Sequence, residues 1–364
     1  MRANERQRDV RRWGPGARSP RAVMSDDYFR VDDLRVSFTV KDGWRRRGEV
    51  RAVDGVSLSV AQGESLGLVG ESGCGKSTLA YAMVHLHPFT GSMSLAGADV
   101  SSLAGRRLTA YRRQVQMVFQ DPYSSLNPRL NVRRLLAEPI RFSGQATGAA
   151  IDERVDELLR LVGLPAEAAD RYPHEFSGGQ RQRIGLARAL SVGPQVLIAD
   201  EPVSALDVSI QAQVINLLVD LQQRLGLTLV FIAHDLAVVR HVSDRVGVMY
   251  LGRIVELAAA TEIYQRPRHP YTVSLLSAVP VADPEVELSR QQIVLRGDAP
   301  SPLNVPFGCR FHERCPIARA EPCSTVEPPL AEIEPGHWTA CHFPDEAGAL
   351  AANATPLNPE GDST

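Results

Sequence analysis

Polar and apolar residues trade places at period two in YFRVDDLRVSFTV, residues 28–40, and again in VRAVDGVSLSV, residues 50–60. That period sends successive side chains to opposite faces of a half-buried strand, so the chain is expected to open with an antiparallel β-subdomain. A second pattern follows. Short apolar runs in ESLGLVG, in QVQMVFQ ending at Gln120, in QVLIAD ending at Asp200 and in LTLVFIAH ending at His234 are separated by helical patterns. Such runs predict a buried, mostly parallel sheet. Ligands of open α/β sheets sit outside the carboxyl ends of the strands, so Gln120, Asp200 and His234 are expected to converge on one site. Between Asp121 and Leu190 the strand signals vanish. IDERVDELLRLVGL from Ile151 carries apolar residues at helical spacing, which predicts a helical subdomain over about 121–190.

After Ile263 the composition changes, and QRPRHPYTVSLLSAVP opens a Pro-rich stretch that holds four of the five cysteines. A boundary near Gln265 then divides a main α/β domain, 28–265, from a separate small C-terminal extension, 266–343. Residues 1–27 are Arg-rich with Gly and Pro and lack an apolar core, so they are expected to be a disordered basic tail and not a secretory signal. Met24 offers a second start position within that tail. Residues 344–364 show no periodicity and are expected to form a disordered tail as well. No internal repeat is present.

The 364 residues are ample for two units with a large core. A formal net charge of −2 gives no basic footprint, which argues against nucleic acid as a partner. The longest apolar run, LTLVFIA at 227–233, is far short of the roughly 20 residues that cross a bilayer, so membrane association is expected to come through other subunits.

Chemistry concentrates in three segments. GESGCGKST comprises Gly70, Glu71, Ser72, Gly73, Cys74, Gly75, Lys76, Ser77 and Thr78, a G-x-x-x-x-G-K-[ST] phosphate loop. Its glycines let backbone N–H groups converge on phosphate oxygens at the start of a helix; Lys76 is suited to the β- and γ-phosphates and Ser77 to Mg²⁺. VLIADEP supplies Asp200 as a Mg²⁺ carboxylate and Glu201 as a general base for the attacking water. His234 is placed to sense the γ-phosphate, and Gln120 to join the metal and water shell. An isolated Asp-Glu pair or strand-end His more often caps a turn. Their order behind a phosphate loop is what points to phosphoryl transfer, with ATP and Mg²⁺ as ligands. FSGGQ adds Ser177, Gly178, Gly179 and Gln180 at the start of a second helix, another backbone anion site that one nucleotide cannot easily share with the first.

In these motifs the chain resembles the ABC ATPases, whose fold is a P-loop cassette with a core sheet, an antiparallel β-subdomain and a helical subdomain. The resemblance implies that two cassettes pack head to tail, the signature Ser177–Gln180 of one closing over the ATP of the other. SALD, Ser204 to Asp207, is similar to the D-loop at that seam. More narrowly, QDPYSSLNPRLNV, RYPHEFSGGQRQR, RHPYTVSLLSAVP and GCRFHERCP resemble ATP-binding subunits of dipeptide and oligopeptide importers, over about Tyr28 to His342. The SLNPR and GDAPSPLNVP segments resemble the second of the two ATPases of such systems, which implies a heterodimeric ATPase partner. It also implies two membrane permeases, an extracytoplasmic peptide-binding protein acting indirectly, and a peripheral place at the cytoplasmic face of the plasma membrane. Asp121 to Arg129 is the expected permease contact. An ATPase of a nickel or other small-solute importer is the alternative, and a soluble non-transport ABC ATPase is the rival of a different class. Many cassettes stack adenine on an aromatic residue before the phosphate loop; here Arg47 stands nearest that position, with Trp44 and Phe38 as substitutes.

Cys74 lies inside the phosphate loop. Cys309, Cys315, Cys323 and Cys341 form C-x₅-C-x₇-C-x₁₇-C. Reducing conditions around an ATPase disfavour disulfides, which leaves a Zn²⁺ site, an iron–sulfur cluster or four small buried residues. His312, His337 and His342 are further Zn²⁺ candidates. The resemblance to peptide-importer ATPases implies a [4Fe–4S] cluster on the four cysteines.

Overall fold

A computed structural model describes residues 27–42, 46–121, 125–144, 146–279 and 300–354, with isolated positions 293, 295 and 297. The basic tail up to residue 26, Trp44, the side chain of Arg47 and residues 355–364 lie outside the described residues.

Strands β1 (Asp27–Asp42) and β2 (Arg46–Ala61) pair antiparallel, and β4 (Thr90–Leu95) and β5 (Ala98–Asp99) extend them into a four-stranded sheet of order β2-β1-β4-β5. The period-two pattern of β1 slips once. Phe29 and Val31 are buried, then Asp33 takes a left-handed φ of 47° and the register shifts, so that Leu34 and Val36 return to the same core.

The second sheet has the order β11-β12-β10-β9-β3-β8-β7-β6. Its strands β6 (Val115–Val118), β7 (Val196–Asp200), β8 (Thr228–Ile232), β3 (Ser65–Val69) and β9 (Arg245–Tyr250) are parallel, and β3, β7 and β8 are buried at every position. Burial on both faces explains why these strands are apolar without alternation. One face packs on α1 (Lys76–Met83), α2 (Gly105–Gln114) and the antiparallel sheet, through Leu66, Ile198, Val230 and Leu79. The other face packs on helices through Leu197, Leu229 and Phe231. Those helices include α3 (Val132–Ser143), α4 (Ala149–Leu161) and α5 (Gly178–Leu190), together with α6 (Val208–Leu225) and α7 (Leu236–Val242).

The C-terminal part differs from expectation in two ways. It is not a free-standing unit: β10 (Arg253–Ala259) pairs with β12 (His337–Thr339), which pairs with β11 (Ala331–Glu334), so the extension continues the main sheet. A buried carboxylate fastens the joint, Glu256 accepting hydrogen bonds from the N–H groups of Arg268 and His269 at 2.6 and 3.1 Å and lying 2.7 Å from His337 Nε2. The other difference concerns residues 344–354, read as tail but folded as helix α10 (Pro344–Ala354) behind α8 (Ala260–Gln265) and α9 (Pro270–Ser277). Its contact face is made largely of alanine, with Ala351 buried beside Val273, too small to print a hydrophobic period. Asp345 and Glu346 occupy its first turn, where acids favour the helix dipole, and pair with Arg268 at 3.2 Å and Arg319 at 2.6 Å.

Candidate nucleotide site

The loop from Gly70 to Gly75 joins the carboxyl end of β3 to α1. Close approach dictates its glycines. A Cβ on Gly75, at φ 107°, would lie 2.0 Å from the Ala52 carbonyl oxygen, and one on Gly70 would lie 2.2 Å from that of Met249. Ser72 and Gly73 face solvent, Thr78 and Ser77 are half-buried, and Cys74 is buried, with Lys76 Nζ 3.7 Å from its sulfur. Lys76 is itself buried and donates to the carbonyls of Gly70 at 2.7 Å and Glu71 at 3.0 Å. Among the described residues its ammonium meets neutral acceptors, and phosphate oxygens would offer it opposite charge.

Across from this loop, the Ser77 hydroxyl donates to Asp200 Oδ1 at 2.9 Å. Asp200 is fully buried at the end of β7, and among the described residues its Oδ2 has no hydrogen-bond partner. Burial raises the Asp200 pKa, the Ser77 hydrogen bond lowers it, the Glu201 charge raises it and Lys76 lowers it, with an upward balance. A hydroxyl and a buried carboxylate with one orphaned oxygen form a donor set of hard oxygens, the kind that suits Mg²⁺. The residues present therefore fit the ion.

Glu201 follows with a left-handed φ of 44°. That turn holds its carboxylate 2.8 Å from Gln120 Nε2, which donates to it, and 3.8 Å from His234 Nδ1. Gln120 and His234 are both exposed, so three strand ends deliver Gln120, Glu201 and His234 to one solvent-accessible point.

The signature is built separately. Ser177 caps α5, its hydroxyl accepting from the Gln180 N–H at 3.3 Å, while Gln180 Oε1 accepts from the Ser177 N–H at 3.1 Å. A Cβ on Gly179 would lie 2.3 Å from Ile210 of α6, and one on Gly178 3.0 Å from Leu206. Among the described residues no hydrogen bond or ion pair joins Ser177–Gln180 to the phosphate loop. Ser204, Ala205, Asp207 and Val208 are exposed nearby along the chain.

Residues that no local pattern disclosed also reach the loop. Arg314 forms a two-pronged ion pair with Glu71, at 2.8 and 3.0 Å, and the Tyr271 hydroxyl accepts from the Glu71 N–H at 2.8 Å. These partners stand 243 and 200 positions from Glu71, beyond any sequence window. Phe38, an adenine candidate, packs its edge against His87 at 5.2 Å.

Cys309, Cys315, Cys323 and Cys341 are free thiols, and among the described residues no group of three or more His, Cys, Asp or Glu is arranged to hold a metal ion. His312 and His342 bond to the carbonyls of Cys309 and Val326, both at 2.8 Å, and His337 bonds to Glu256. Each of these contacts uses one of the two ring nitrogens. The thiols still sense one another: burial first, and then the charges of the other three, push Cys315 up to about 12, and Cys341 reaches about 12 with burial again foremost.

Two family models match the chain. One is described as ABC transporter, over residues 53–204, and the other as the C-terminal region of oligopeptide/dipeptide transporters, over residues 255–323. The chain is 51% identical over 326 residues to the oligopeptide transport ATP-binding protein AppF of Bacillus subtilis, covering 88% of this chain and 99% of that one. It is 52% identical over 309 residues to a putative peptide import ATP-binding protein of Brucella ovis, covering 85% and 96%. Among solved structures it is similar to the dimeric ATP-binding cassette MJ0796 in a post-hydrolysis state bound to ADP and Pi. That likeness has a TM-score of 0.57 at 28% identity and covers 64% of this chain and 98% of that one. The chain belongs to the ABC transporter ATP-binding proteins, in the oligopeptide/dipeptide branch of that family.

Proposed function

We propose that this chain binds and hydrolyses ATP to energise the import of di- and oligopeptides. The observation that carries it is the buried Asp200 Oδ2, without a hydrogen-bond partner among the described residues, beside Ser77 and facing a loop whose buried Lys76 donates to the Gly70 and Glu71 carbonyls. Peptide as cargo is supported by the C-terminal region and by the relatives, named as oligopeptide transport and peptide import proteins, neither of which points to nickel.

The backbone of Gly70 to Thr78 cradles the phosphates, and Lys76 exchanges its carbonyl partners for phosphate oxygens. Ser77 and Asp200 would hold Mg²⁺, with Gln120 beside them, and the bound ion would supply charge neutralisation at the phosphate oxygens. Glu201 takes the proton of the attacking water. Gln120 and His234, both touching or facing its carboxylate, orient it and the water. Ser177, Gly178, Gly179 and Gln180 serve the nucleotide of a facing subunit, a reading supported by the separate build of this helix start, which among the described residues has no bond to this chain's own phosphate loop. That facing subunit is a partner ABC ATPase. Permeases dock on the exposed side of the helical subdomain, where Asp121, Asn127 and Arg129 lie open. No described helix is long and apolar enough to cross a membrane. Those permeases hold the chain peripherally at the cytoplasmic face.

A [4Fe–4S] cluster, with Zn²⁺ as the alternative, on Cys309, Cys315, Cys323 and Cys341 belongs to the same proposal, supported by thiols close enough to raise one another's pKa. Iron, sulfide and zinc analysis of anaerobically purified protein tests it, and absence of all three rejects it.

The functional test compares Glu201→Gln with Lys76→Ala in complex with the partner ATPase and permeases in vesicles. Glu201→Gln retains ATP binding and loses hydrolysis and peptide uptake by about 10²-fold or more. Lys76→Ala loses nucleotide binding. Steady turnover by Glu201→Gln refutes the base, and ATP-dependent uptake of nickel without peptide uptake refutes the cargo.

A further inference from the structure

The phosphate loop of this chain is held from outside the cassette motifs. Glu71, its second residue, is fixed at every polar group. The N–H donates to Tyr271 Oη at 2.8 Å, the carbonyl accepts from Lys76 at 3.0 Å, and the carboxylate receives both prongs of Arg314 at 2.8 and 3.0 Å. Arg314 belongs to the cysteine-bearing extension, directly before Cys315, and its side chain is 8% exposed. The turn that carries it is anchored by its neighbours. Phe311 is buried against Tyr250 and Tyr271 with ring centroids 5.3 and 5.4 Å apart, and Arg310 donates to the Leu251 carbonyl and to Asp54. Tyr271, fully buried in α9, is thereby aimed at the loop.

Charge makes this contact more than a fastening. A carboxylate within a phosphate-binding loop repels the ligand the loop exists to bind, and a guanidinium fork cancels it while fixing its direction. Arg314 spends its charge on Glu71, so its influence on a triphosphate passes through the loop. We propose that Arg314, supported by Tyr271, is a positioning residue of the phosphate loop, through which the cysteine-bearing extension sets the affinity for ATP without taking part in hydrolysis. This rests on the nucleotide site described above.

The test measures ATP affinity, KM and kcat for the full chain with its partners. Arg314→Ala raises the ATP dissociation constant and KM about tenfold, as expected for loss of a charge-assisted pair, and leaves kcat within about twofold. Arg314→Lys, which keeps charge and loses the fork, falls between wild type and Arg314→Ala. Tyr271→Phe, which removes only a hydroxyl, weakens affinity in the same sense and covers the case in which Arg314→Ala does not fold. Adding Glu71→Gln to Arg314→Ala recovers most of the affinity, because the bare carboxylate is gone; a role in folding alone gives no such recovery. Unchanged KM in folded Arg314 and Tyr271 variants, or a fall in kcat at constant KM, overturns the proposal. Lys76→Ala run in parallel separates the readings: if it too leaves affinity unchanged, the nucleotide site itself is wrong.

Discussion

Asp54 and Arg310 tie the cysteine-bearing extension to β2, and the two single removals should differ in cost. Asp54 is almost wholly buried and meets three guanidinium groups: Arg310, Arg35 at 2.7 Å and Arg253 at 3.8 Å. Arg310, 8% exposed, also donates to the Leu251 carbonyl and to Glu327 at 3.1 Å. Breaking a buried ion pair from one side costs about 3–5 kcal/mol when the remaining charge is stranded. In Arg310→Met, Asp54 keeps Arg35 and Arg253. Both are more than a third exposed and partly screened, so the expected loss is reduced to about 1–3 kcal/mol. In Asp54→Ala, Arg310 and Arg253 face each other with Glu327 alone between them, and the full 3–5 kcal/mol, about the upper range, applies. Their mutual repulsion already shows, since burial foremost and Arg310 next lower the Arg253 pKa. Urea unfolding of the two variants, compared through midpoint and slope, measures the difference. Burial would raise the Asp54 pKa, but the Arg310 hydrogen bond and charge, then Arg253 and Arg35, hold it below the ordinary value. A depressed carboxylate contributes stability above its unfolded pKa of about 3.9 and loses it as pH falls through the folded value. Wild type should therefore lose more stability below about pH 4 than Asp54→Ala does. An equal or larger cost for Arg310→Met, or identical acid profiles, would refute the reasoning.

Other outcomes follow from single contacts. Gly75→Ala forces a methyl onto the Ala52 carbonyl, 2.0 Å away, and should abolish ATP binding as read by nucleotide fluorescence; retained affinity would show that the loop can shift. Cys315 and Cys341, pushed up to about 12, should react with iodoacetamide far more slowly than an ordinary thiol at pH 8 and accelerate as pH rises; rapid labelling at pH 7 contradicts that environment. Ala351→Asp places a charge against Val273 and should release α10, seen as new proteolytic cleavage there at a cost of about 1–3 kcal/mol; an unaltered digest would deny that α10 is docked.

Where the chain disclosed itself, chemistry and local pattern coincided. Asp200 ends an apolar run because its strand is buried on both faces and its carboxylate must emerge at the sheet's ligand end, so the run and the acid are read together. Glu201, His234 and Gln120 follow the same logic, and the structure assembles them within hydrogen-bond and ion-pair reach. Long-range fastenings leave no such mark. Nothing near Arg314 reveals Glu71, because their contact is made only when the extension closes on the cassette. α10 escapes notice for a different reason: alanine satisfies a tight interface without registering as apolar periodicity. The four cysteines do come near enough to raise one another's pKa, while the nearby histidines bond to carbonyls and to Glu256, partners no local pattern announces.

The pairing of β12 with β10 also bears on biosynthesis. Glu256 and Leu257 find their strand neighbours at Thr339 and Trp338, some eighty positions onward. While the chain emerges from the ribosome, the border of the growing sheet at β10 stays bare until those distant residues are made, a sticky seam to other nascent polypeptides. A premature stop before Trp338 would leave every nucleotide motif intact and still yield a protein prone to inclusion bodies, a loss of yield arising far from any catalytic group.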